Sequence, residues 1–423
     1  MSYSPLPPTL RSILSEVVAA VPIGFTIEFW GSDTLSNCQP EQSPDMAFKI
    51  HHPGVIRQLI LKRDSLVLVE AYLRGYLDLF GKIADLKCLD RFDEIEVGGI
   101  RAVKTLWEAW QLPDLEESLS VEMGWNHLSK HTKERDLQTV QYHYDRGNDF
   151  FSLYLDPLMV YTCAYFAKED MSLKEAQEAK LDRICRKLRL RSGETFLDIG
   201  CGWGSLLVWA VEKYDVKGYG ITLAQKQYEY CCRTLEEKGL GDRLTFKLLD
   251  YRDLPTVPTF DKIASIGMVE HVGRDNYSDY FKSVLRCLKP GGLFLNHGMT
   301  SHIDDKPDSL SYRFTQRYVS EDVELPLVST YLMESEKAGW EVVDVDNWRP
   351  HYAKTFAAWA KLLETNMERG AELLGDRMAN LWLLYLVGMS VAFDRYDIGV
   401  QQMLLRPKAE RQWNLPMTRE GWL

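Results

Sequence analysis

The sequence predicts an α/β protein built on a Rossmann-like parallel sheet, with helical additions and a smaller α+β unit in front. Three observations support this. From Gly193 onward, apolar and β-branched segments alternate with helical ones, the pattern of a parallel sheet with helices on both faces. One such segment, Thr195-Phe196-Leu197-Asp198-Ile199, breaks into Gly200-Cys201-Gly202-Trp203-Gly204 and then opens a helical run at Ser205. At 423 residues the chain also exceeds one ordinary domain.

In order along the chain, Pro5, Pro7 and Pro8 give a loose start, and residues 23–30 alternate as a strand. Ser36 to Asp45 is a polar turn region. Residues 55–61 and 66–79 read as helices, the second carrying Glu70-Ala71-Tyr72. Residues 1–125 make up this first unit, and 126–192 connect it to the glycine turn. Within the connection, Ser172-Leu173-Lys174-Glu175 spells a capping box. Behind it, Leu173, Ala176, Leu181, Ile184, Cys185 and Leu188 form an apolar helical stripe. The expected sheet strands are 195–199, 216–221, 244–249, 260–266 and 293–296. Residues 351–423, rich in Trp, Leu and Met, read as helical, a lid or a cover for the sheet.

Composition excludes several classes of function. A net charge of −11 lacks the basic footprint that nucleic acid requires, and it disfavours uniform attraction to an anionic bilayer. Eight cysteines without a C-x-x-C pair read as reduced, buried thiols of a cytoplasmic protein. No basic stretch leads into an apolar one at the N-terminus, and no run approaches the ~20 apolar residues of a membrane span. A lipid substrate would therefore be met from the membrane surface. His127 and His131 stand four apart without a third ligand, so no metal is expected and both read as surface histidines. Arg183, Arg186, Lys187, Arg189 and Arg191 read as a solvated helix face.

The glycine turn points to a ligand. Glycine lets the backbone take positive φ and approach a ligand closely, and the helix behind offers unpaired N–H groups. Both lie at the carboxyl end of a parallel strand. The order Asp-x-Gly-x-Gly-x-Gly differs from the dinucleotide pattern. The Asp198 carboxylate would repel a pyrophosphate but accept bonds from an amino group or a ribose, which favours S-adenosylmethionine. The polar residues past the strand ends are Asp198, Thr222, Asp250, Glu270 and His297. Gly220-Ile221-Thr222-Leu223 offers no acid for a ribose, so Gln227 or Thr222 must substitute.

Further motifs carry a resemblance. They are His143-Tyr144-Asp145-x-Gly147-Asn148-Asp149-Phe150-Phe151, Leu155-Asp156-Pro157 and Tyr161-Thr162-Cys163-Ala164-Tyr165-Phe166. The Leu197–Gly204 turn, Asp250-Tyr251-Arg252-Asp253-Leu254, Gly267-Met268-Val269-Glu270-His271-Val272-Gly273, Leu288-Lys289-Pro290-Gly291-Gly292 and Asp397-Ile398 follow. From about residue 140 onward the chain resembles the cyclopropane-fatty-acyl-phospholipid synthases and mycolic acid cyclopropane synthases. The first unit matches more loosely, through Glu70-Ala71-Tyr72 and Gly75; in that family such a unit helps to present the lipid.

The resemblance implies a class I methyltransferase sheet and transfer of a one-carbon unit from S-adenosylmethionine to a cis double bond of an acyl chain. It places the cofactor against Tyr161, Thr162, Asp198, Gly200, Cys201, Gly202, Trp203, Gly204, Thr222, Leu223, Gln227, Asp250, Tyr251 and Arg252. It places a bicarbonate base against Cys163, Glu270, His297 and Tyr352, with the backbone near Met299. The implied partner is an unsaturated phospholipid at the inner face of the membrane, met peripherally, and a homodimer stays open. An alkene is a poor nucleophile, so holding the methyl in line is central; such positioning is worth about 7–11 kcal/mol. Tyr161, Tyr165 and Phe166 are candidate aromatic faces for the resulting cation.

Two departures bear on substrate choice and mechanism. Val319-Ser320-Glu321-Asp322-Val323 replaces a Phe-Pro-x-Gly segment of many relatives, near the expected lipid entrance, and Met389 stands where some relatives have cysteine. Competing functions are the same methyl transfer ending in a methyl or methylene branch, a non-catalytic lipid-binding protein of the same fold, and a methyltransferase for a small soluble amine or hydroxyl.

Overall fold

The computed structural model describes residues 3–421 except 83–84, 86–98, 116–129, 145, 304–309 and 321. It divides into two compact units, Met1–Trp125 with Gly370–Gly388, and Asn126–Arg369 with Met389–Leu423.

The first unit carries a four-stranded sheet: β1 (Phe25–Glu28), β2 (Thr34–Ser36), β3 (Met46–Ile50) and β4 (Leu77–Gly81), in the order β2-β1-β3-β4. β1 and β3 are parallel and the other pairs antiparallel. Helices Pro8–Ala20, Gly54–Lys62 and Leu66–Arg74 supply Leu10, Leu14, Val55 and Ala71 to a core shared with Phe25 and Phe48. The helix expected over 66–79 stops at Arg74. Gly75 takes φ +83° and its N–H closes on Tyr72 O (3.1 Å), a left-handed stop that favours glycine. The residues beyond then pair with β3, Leu77 opposite Ile50. The expected C-terminal cover also divides: Gly370–Gly388 groups with the first unit, where Asn380 Nδ2 donates to Tyr72 OH at 2.7 Å.

The second unit is built on seven strands: β5 (Thr195–Ile199), β6 (Lys217–Thr222), β7 (Leu244–Leu248), β8 (Phe260–Ile266), β9 (Leu288–Ser301), β10 (Trp340–Asn347) and β11 (Ile398–Pro407). Their order is β10-β11-β9-β8-β5-β6-β7, and β11 alone runs against its neighbours. The chain leaves β5 toward β6 and β7, then crosses to β8 on the other side. That reversal opens a crevice beyond the carboxyl ends of β5 and β8.

Three expectations change here. The strand expected at 293–296 is the middle of a fourteen-residue strand. Residues 340–347, unassigned from sequence, form β10. Residues 398–407 are a strand, not helix; nine of the ten are buried, so no two-residue alternation marks them.

The capping box forms as expected: Glu175 N–H donates to Ser172 Oγ (3.3 Å), and Ser172 N–H to Glu175 Oε2 (2.8 Å). Ala176, Leu181, Ile184, Cys185 and Leu188 are buried, and Leu173 half-buried. The basic run is not a uniformly solvated face. Lys187 is 1% exposed and donates to Asp346 Oδ2 and Gln402 Oε1, both at 2.8 Å. It follows Ile184 by three positions and so shares the buried stripe. The Arg183 guanidinium lies 4.4 Å over the Tyr165 ring.

The segment that departs from the family pattern anchors the helix Lys133–Tyr144. Arg135 Nε donates to Asp322 Oδ2 at 2.6 Å with both side chains buried. Thr139 Oγ1 donates to the same oxygen (3.1 Å), and His143 Nδ1 donates to Val319 O (3.2 Å). Glu321 lies outside the described residues. Removing this carboxylate takes away a buried charged partner of Arg135 and the acceptor of Thr139, so Asp322→Ala should cost about 3–5 kcal/mol in urea unfolding; a loss under 1 kcal/mol would contradict the anchoring role.

His131, expected at the surface, is enclosed between Asp136 (3.8 Å) and Glu324 (3.7 Å); His127 lies outside the described residues. Burial opposes charging of the ring, but the ion pairs with Asp136 and Glu324 outweigh it and raise the pKa from 6.5 to about 9. The same pairing with His131 holds Glu324 down at about 2. The histidine's contribution to stability is full below 6.5 and fades as pH rises through 9; the glutamate's is full above 4.5 and fades as pH falls toward 2. The thermal midpoint of the native chain should therefore drop more steeply between pH 7 and 9 than that of His131→Gln. Parallel profiles would exclude the pairing as the cause.

Candidate active site

β5 buries Phe196 and Leu197 and carries Asp198, which is 3% exposed, one residue before its end. The turn beyond folds back on β6: the N–H groups of Gly200 and Cys201 both donate to Ile221 O at 2.9 Å. Gly200, Gly202 and Gly204 all have positive φ, at +77°, +54° and +83°. A Cβ at Gly204 would lie 2.6 Å from Phe246, and one at Gly200 3.0 Å from Met268, whereas one at Gly202 would meet nothing within 4 Å. Packing requires the outer two glycines; the middle one leaves the rim of the turn open.

A cleft enclosing about 560 Å³, part of it open to solvent, lies over this turn. Of the expected cofactor residues, it brings together Tyr161, Thr162, Asp198, Gly200, Cys201, Gly202, Trp203 and Gln227. Trp203 is fixed by Nε1 donating to Asn148 Oδ1 at 2.8 Å. The Tyr161 ring packs on Trp359 (5.1 Å) and Phe151 (5.2 Å) and stacks with His143 (5.8 Å). Burial holds that histidine neutral, its pKa down at about 3.

Gly204, Thr222, Leu223, Asp250, Tyr251 and Arg252 do not line the cleft. Thr222 works from behind, donating to Gln227 Oε1 (2.9 Å) and accepting from Ala224 N–H (3.2 Å). Asp250 accepts from the N–H, Nε and Nη2 of Arg252 at 2.6–2.8 Å, and Arg252 also reaches Asp136 (2.7 Å). Arg252 thus joins the turn after β7 to the helix Lys133–Tyr144. Tyr165 and Phe166 are also outside the cleft lining, and each already has a cation near its ring: Arg183 at 4.4 Å and Lys354 at 5.7 Å. Of the three aromatic candidates, Tyr161 alone faces the cleft.

Among the cleft residues given no cofactor role from sequence are Tyr144 and Lys180. Tyr144 was visible in a motif but given no role. Lys180, 2% exposed, donates to Thr162 Oγ1 at 2.7 Å, and burial lowers its pKa to about 8. Its signal was available: Ala176, Lys180 and Ile184 recur every four residues, which puts a lysine within the apolar stripe.

Three of the four residues expected to hold an anion, Cys163, His297 and Tyr352, gather around Trp348. Cys163 Sγ donates to Ala164 O (3.3 Å) and lies 3.8 Å from Trp348 O; burial pushes its thiol far up, so it is no thiolate nucleophile. The His297 ring meets Trp348 edge-on at 5.6 Å, and Tyr352 N–H donates to Trp348 O at 3.1 Å. The Tyr352 ring packs on Phe393 and Phe356 at 4.5 and 4.7 Å. Glu270 lies against the neighbouring Gly298, which has no side chain: a Cβ there would sit 2.3 Å from Val269 and 3.7 Å from Glu270 Oε2.

His297 is 2% exposed and Glu270 3%. Neither His297 nitrogen has a hydrogen-bond partner among the described residues, nor does Glu270 Oε2. Burial, assisted by Lys180 and Lys187, lowers the His297 pKa to about 3, and burial raises that of Glu270 to about 7. Met389 is a core residue, accepting from Thr315 Oγ1 at 3.6 Å. Among the described residues, no group of three or more His, Cys, Asp or Glu could hold a metal, and no helix is long and apolar enough to cross a membrane.

Comparison with known proteins matches residues 131–403 to the model of the mycolic acid cyclopropane synthetase family. A "probable fatty acid methyltransferase" of Pseudomonas putida is 37% identical over 89% of this chain and 91% of its own. The cyclopropane-fatty-acyl-phospholipid synthase of Escherichia coli K12 is 33% identical over 84% and 86%. The crystal structure of mycolic acid cyclopropane synthase CmaA1 with SAH and CTAB superposes with a TM-score of 0.61 at 31% identity, covering 66% of this chain and 99% of that one. The family match, these identities and a glycine turn over an open cleft agree: the chain belongs to the mycolic acid cyclopropane synthetase family and is an S-adenosylmethionine-dependent methyltransferase on the class I fold.

Proposed function

We propose that the enzyme transfers a one-carbon unit from S-adenosylmethionine to the cis double bond of an unsaturated phospholipid acyl chain at the membrane surface, closing a cyclopropane ring with bicarbonate as the base. The observation that carries this is the set of buried polar atoms without partners beside the cofactor cleft: both His297 nitrogens and Glu270 Oε2. Such groups cost free energy unless something bonds to them. A small hydroxylated anion suits them. Neutral His297 donates from one ring nitrogen, Glu270 accepts from a hydroxyl, and the positive charges of Lys180 and Lys187 act at His297.

When bound, the cofactor supplies an electrophilic methyl, and bicarbonate a proton acceptor that can leave. The chain supplies orientation and dryness. Tyr161 presents an aromatic face at the cleft. Cys163, Glu270 and His297 are 0%, 3% and 2% exposed, so water that would trap a cation is kept out. Phospholipid as substrate follows the name of the Escherichia coli relative. A branched product from the same transfer is the second reading, favoured by the Pseudomonas putida relative's description as a fatty acid methyltransferase. Expression in a host with unsaturated phospholipids but no cyclopropanes decides between them: ring and added methylene have equal mass but differ on chemical degradation.

His297→Ala and Glu270→Gln should each slow turnover by ~10²-fold or more while leaving the calorimetric affinity for S-adenosylhomocysteine nearly unchanged. Full activity in either variant would remove that residue from the mechanism. Asp198 offers a pH test. Burial raises its pKa to about 7, against the pull of Lys180. A cationic amino group favours its ionised form, so cofactor binding should release a proton below pH 7 and tighten as pH rises toward 7. Calorimetry in buffers of different ionisation enthalpy should show that release, and Asp198→Asn should abolish it.

A further inference from the structure

We infer that Lys180 is the counter-charge for the carboxylate of the cofactor's amino-acid end, reaching it directly and through Thr162, while Asp198 takes the ammonium. The assignment rests on the cleft being the S-adenosylmethionine site. Both side chains line that cleft, and both are nearly inaccessible, at 2% and 3%. They carry opposite charge, yet no ion pair joins them among the described residues. Each also has bonding capacity left over. An ammonium has three donors, and among the described residues Lys180 gives one hydrogen bond, to Thr162 Oγ1 at 2.7 Å, while Asp198 Oδ1 has no partner.

A buried cation held by one hydroxyl, near a buried anion that it does not pair with, is costly unless a ligand completes both. An α-amino acid zwitterion does so in one step. The placement follows from local structure. Lys180 projects from the helix Leu173–Lys187. Gln177, one turn earlier, holds the backbone beneath Thr162 by donating from Nε2 to Thr162 O at 2.9 Å. Asp198 approaches from β5. The two charges thus come from different elements, and the ligand's two ends are told apart by which element they meet.

The charged and titratable groups acting on Lys180 are Cys163, Asp156 and Asp198, and Lys180 in turn acts on His297. Cys163 and His297 are neutral near pH 8, which leaves the two aspartates to support the ammonium. Burial nonetheless brings its pKa down to about 8. The ammonium, and with it any preference for a carboxylate, therefore fades as pH rises above that value.

The test is binding, not turnover. Dissociation constants are measured by calorimetry for S-adenosylhomocysteine, its decarboxylated analogue, and 5′-methylthioadenosine, which lacks the amino-acid end. The native enzyme should prefer the carboxylated ligand over the decarboxylated one by about 10- to 100-fold, the scale of a charge-assisted hydrogen bond. Lys180→Met should bind the two alike, while its affinity for methylthioadenosine stays within about twofold, reporting an intact cleft. A variant that keeps the preference would overturn the assignment. Should Lys180→Met fail to fold, the native enzyme still decides: the ratio of the two constants should shrink as pH rises above 8, and a ratio flat to pH 10 would refute the role. Failure of the native enzyme to bind either ligand would instead overturn the cleft's assignment to the cofactor, and this inference with it.

Discussion

Burying a polar group without a partner costs on the order of 1–3 kcal/mol, and the second unit does this repeatedly at the carboxyl ends of its central strands. Asp198 near the end of β5, Glu270 after β8 and His297 on β9 each keep at least one polar atom without a partner among the described residues while almost fully shielded from water. The same burial lifts both carboxyl groups toward neutrality and holds the imidazole uncharged. A fold tolerates such sites only where the rest of the core is secure. Here the sheet has Leu197, Ile263, Phe294 and Leu405 wholly buried across four adjacent strands.

The topology explains why these groups meet. β5 and β8 are neighbours but not successive in the chain, so the loops leaving them diverge and open a crevice. β9 continues to Ser301, past its partner β8, because β11 supports it on the other side: His297 pairs with Gln402 and Ser301 with Ile398. That extension carries His297 and Gly298 to the level of Glu270. Without the antiparallel β11, the end of β9 would be an unpaired edge, and the histidine would lose its fixed position. The glycine at 298 then matters as much as the catalytic candidates on either side of it, since any side chain there would collide with Val269.

Much of this was legible in the sequence because strand periodicity, the glycine turn and the capping box are local signals. Residues 195–199 and 260–266 begin and end where the pattern places them. What escaped was non-local. β11 is buried nearly throughout, so its apolar run Met403-Leu404-Leu405 reads equally as helix or strand. Leu288 to Gly292 looks like a turn through Pro290 and its two glycines, yet it forms the start of β9. Lys180 and Lys187 carry charges that suggest solvent, and only their spacing against Ala176 and Ile184 shows that they turn inward. Trp348, the common neighbour of Cys163, His297 and Tyr352, had no signal at all: nothing local distinguishes it from other tryptophans in the chain.

The two buried lysines on one helix also separate the tasks of the site. Lys187 is engaged, with Asp346 and Gln402 as acceptors and its ammonium 5.6 Å from the Trp348 ring; it braces Trp348. Lys180, two turns earlier, has one bond and faces the cofactor cleft. One helix therefore presents one cation to Trp348 and another to the cleft. Burial, with their combined field, suppresses protonation of His297, so the imidazole offers a single N–H, and the anion we propose would be held by a neutral hydrogen bond. A charged imidazolium would bind an anion more tightly and lower its basicity. The weaker grip suits an anion that must accept a proton and then depart.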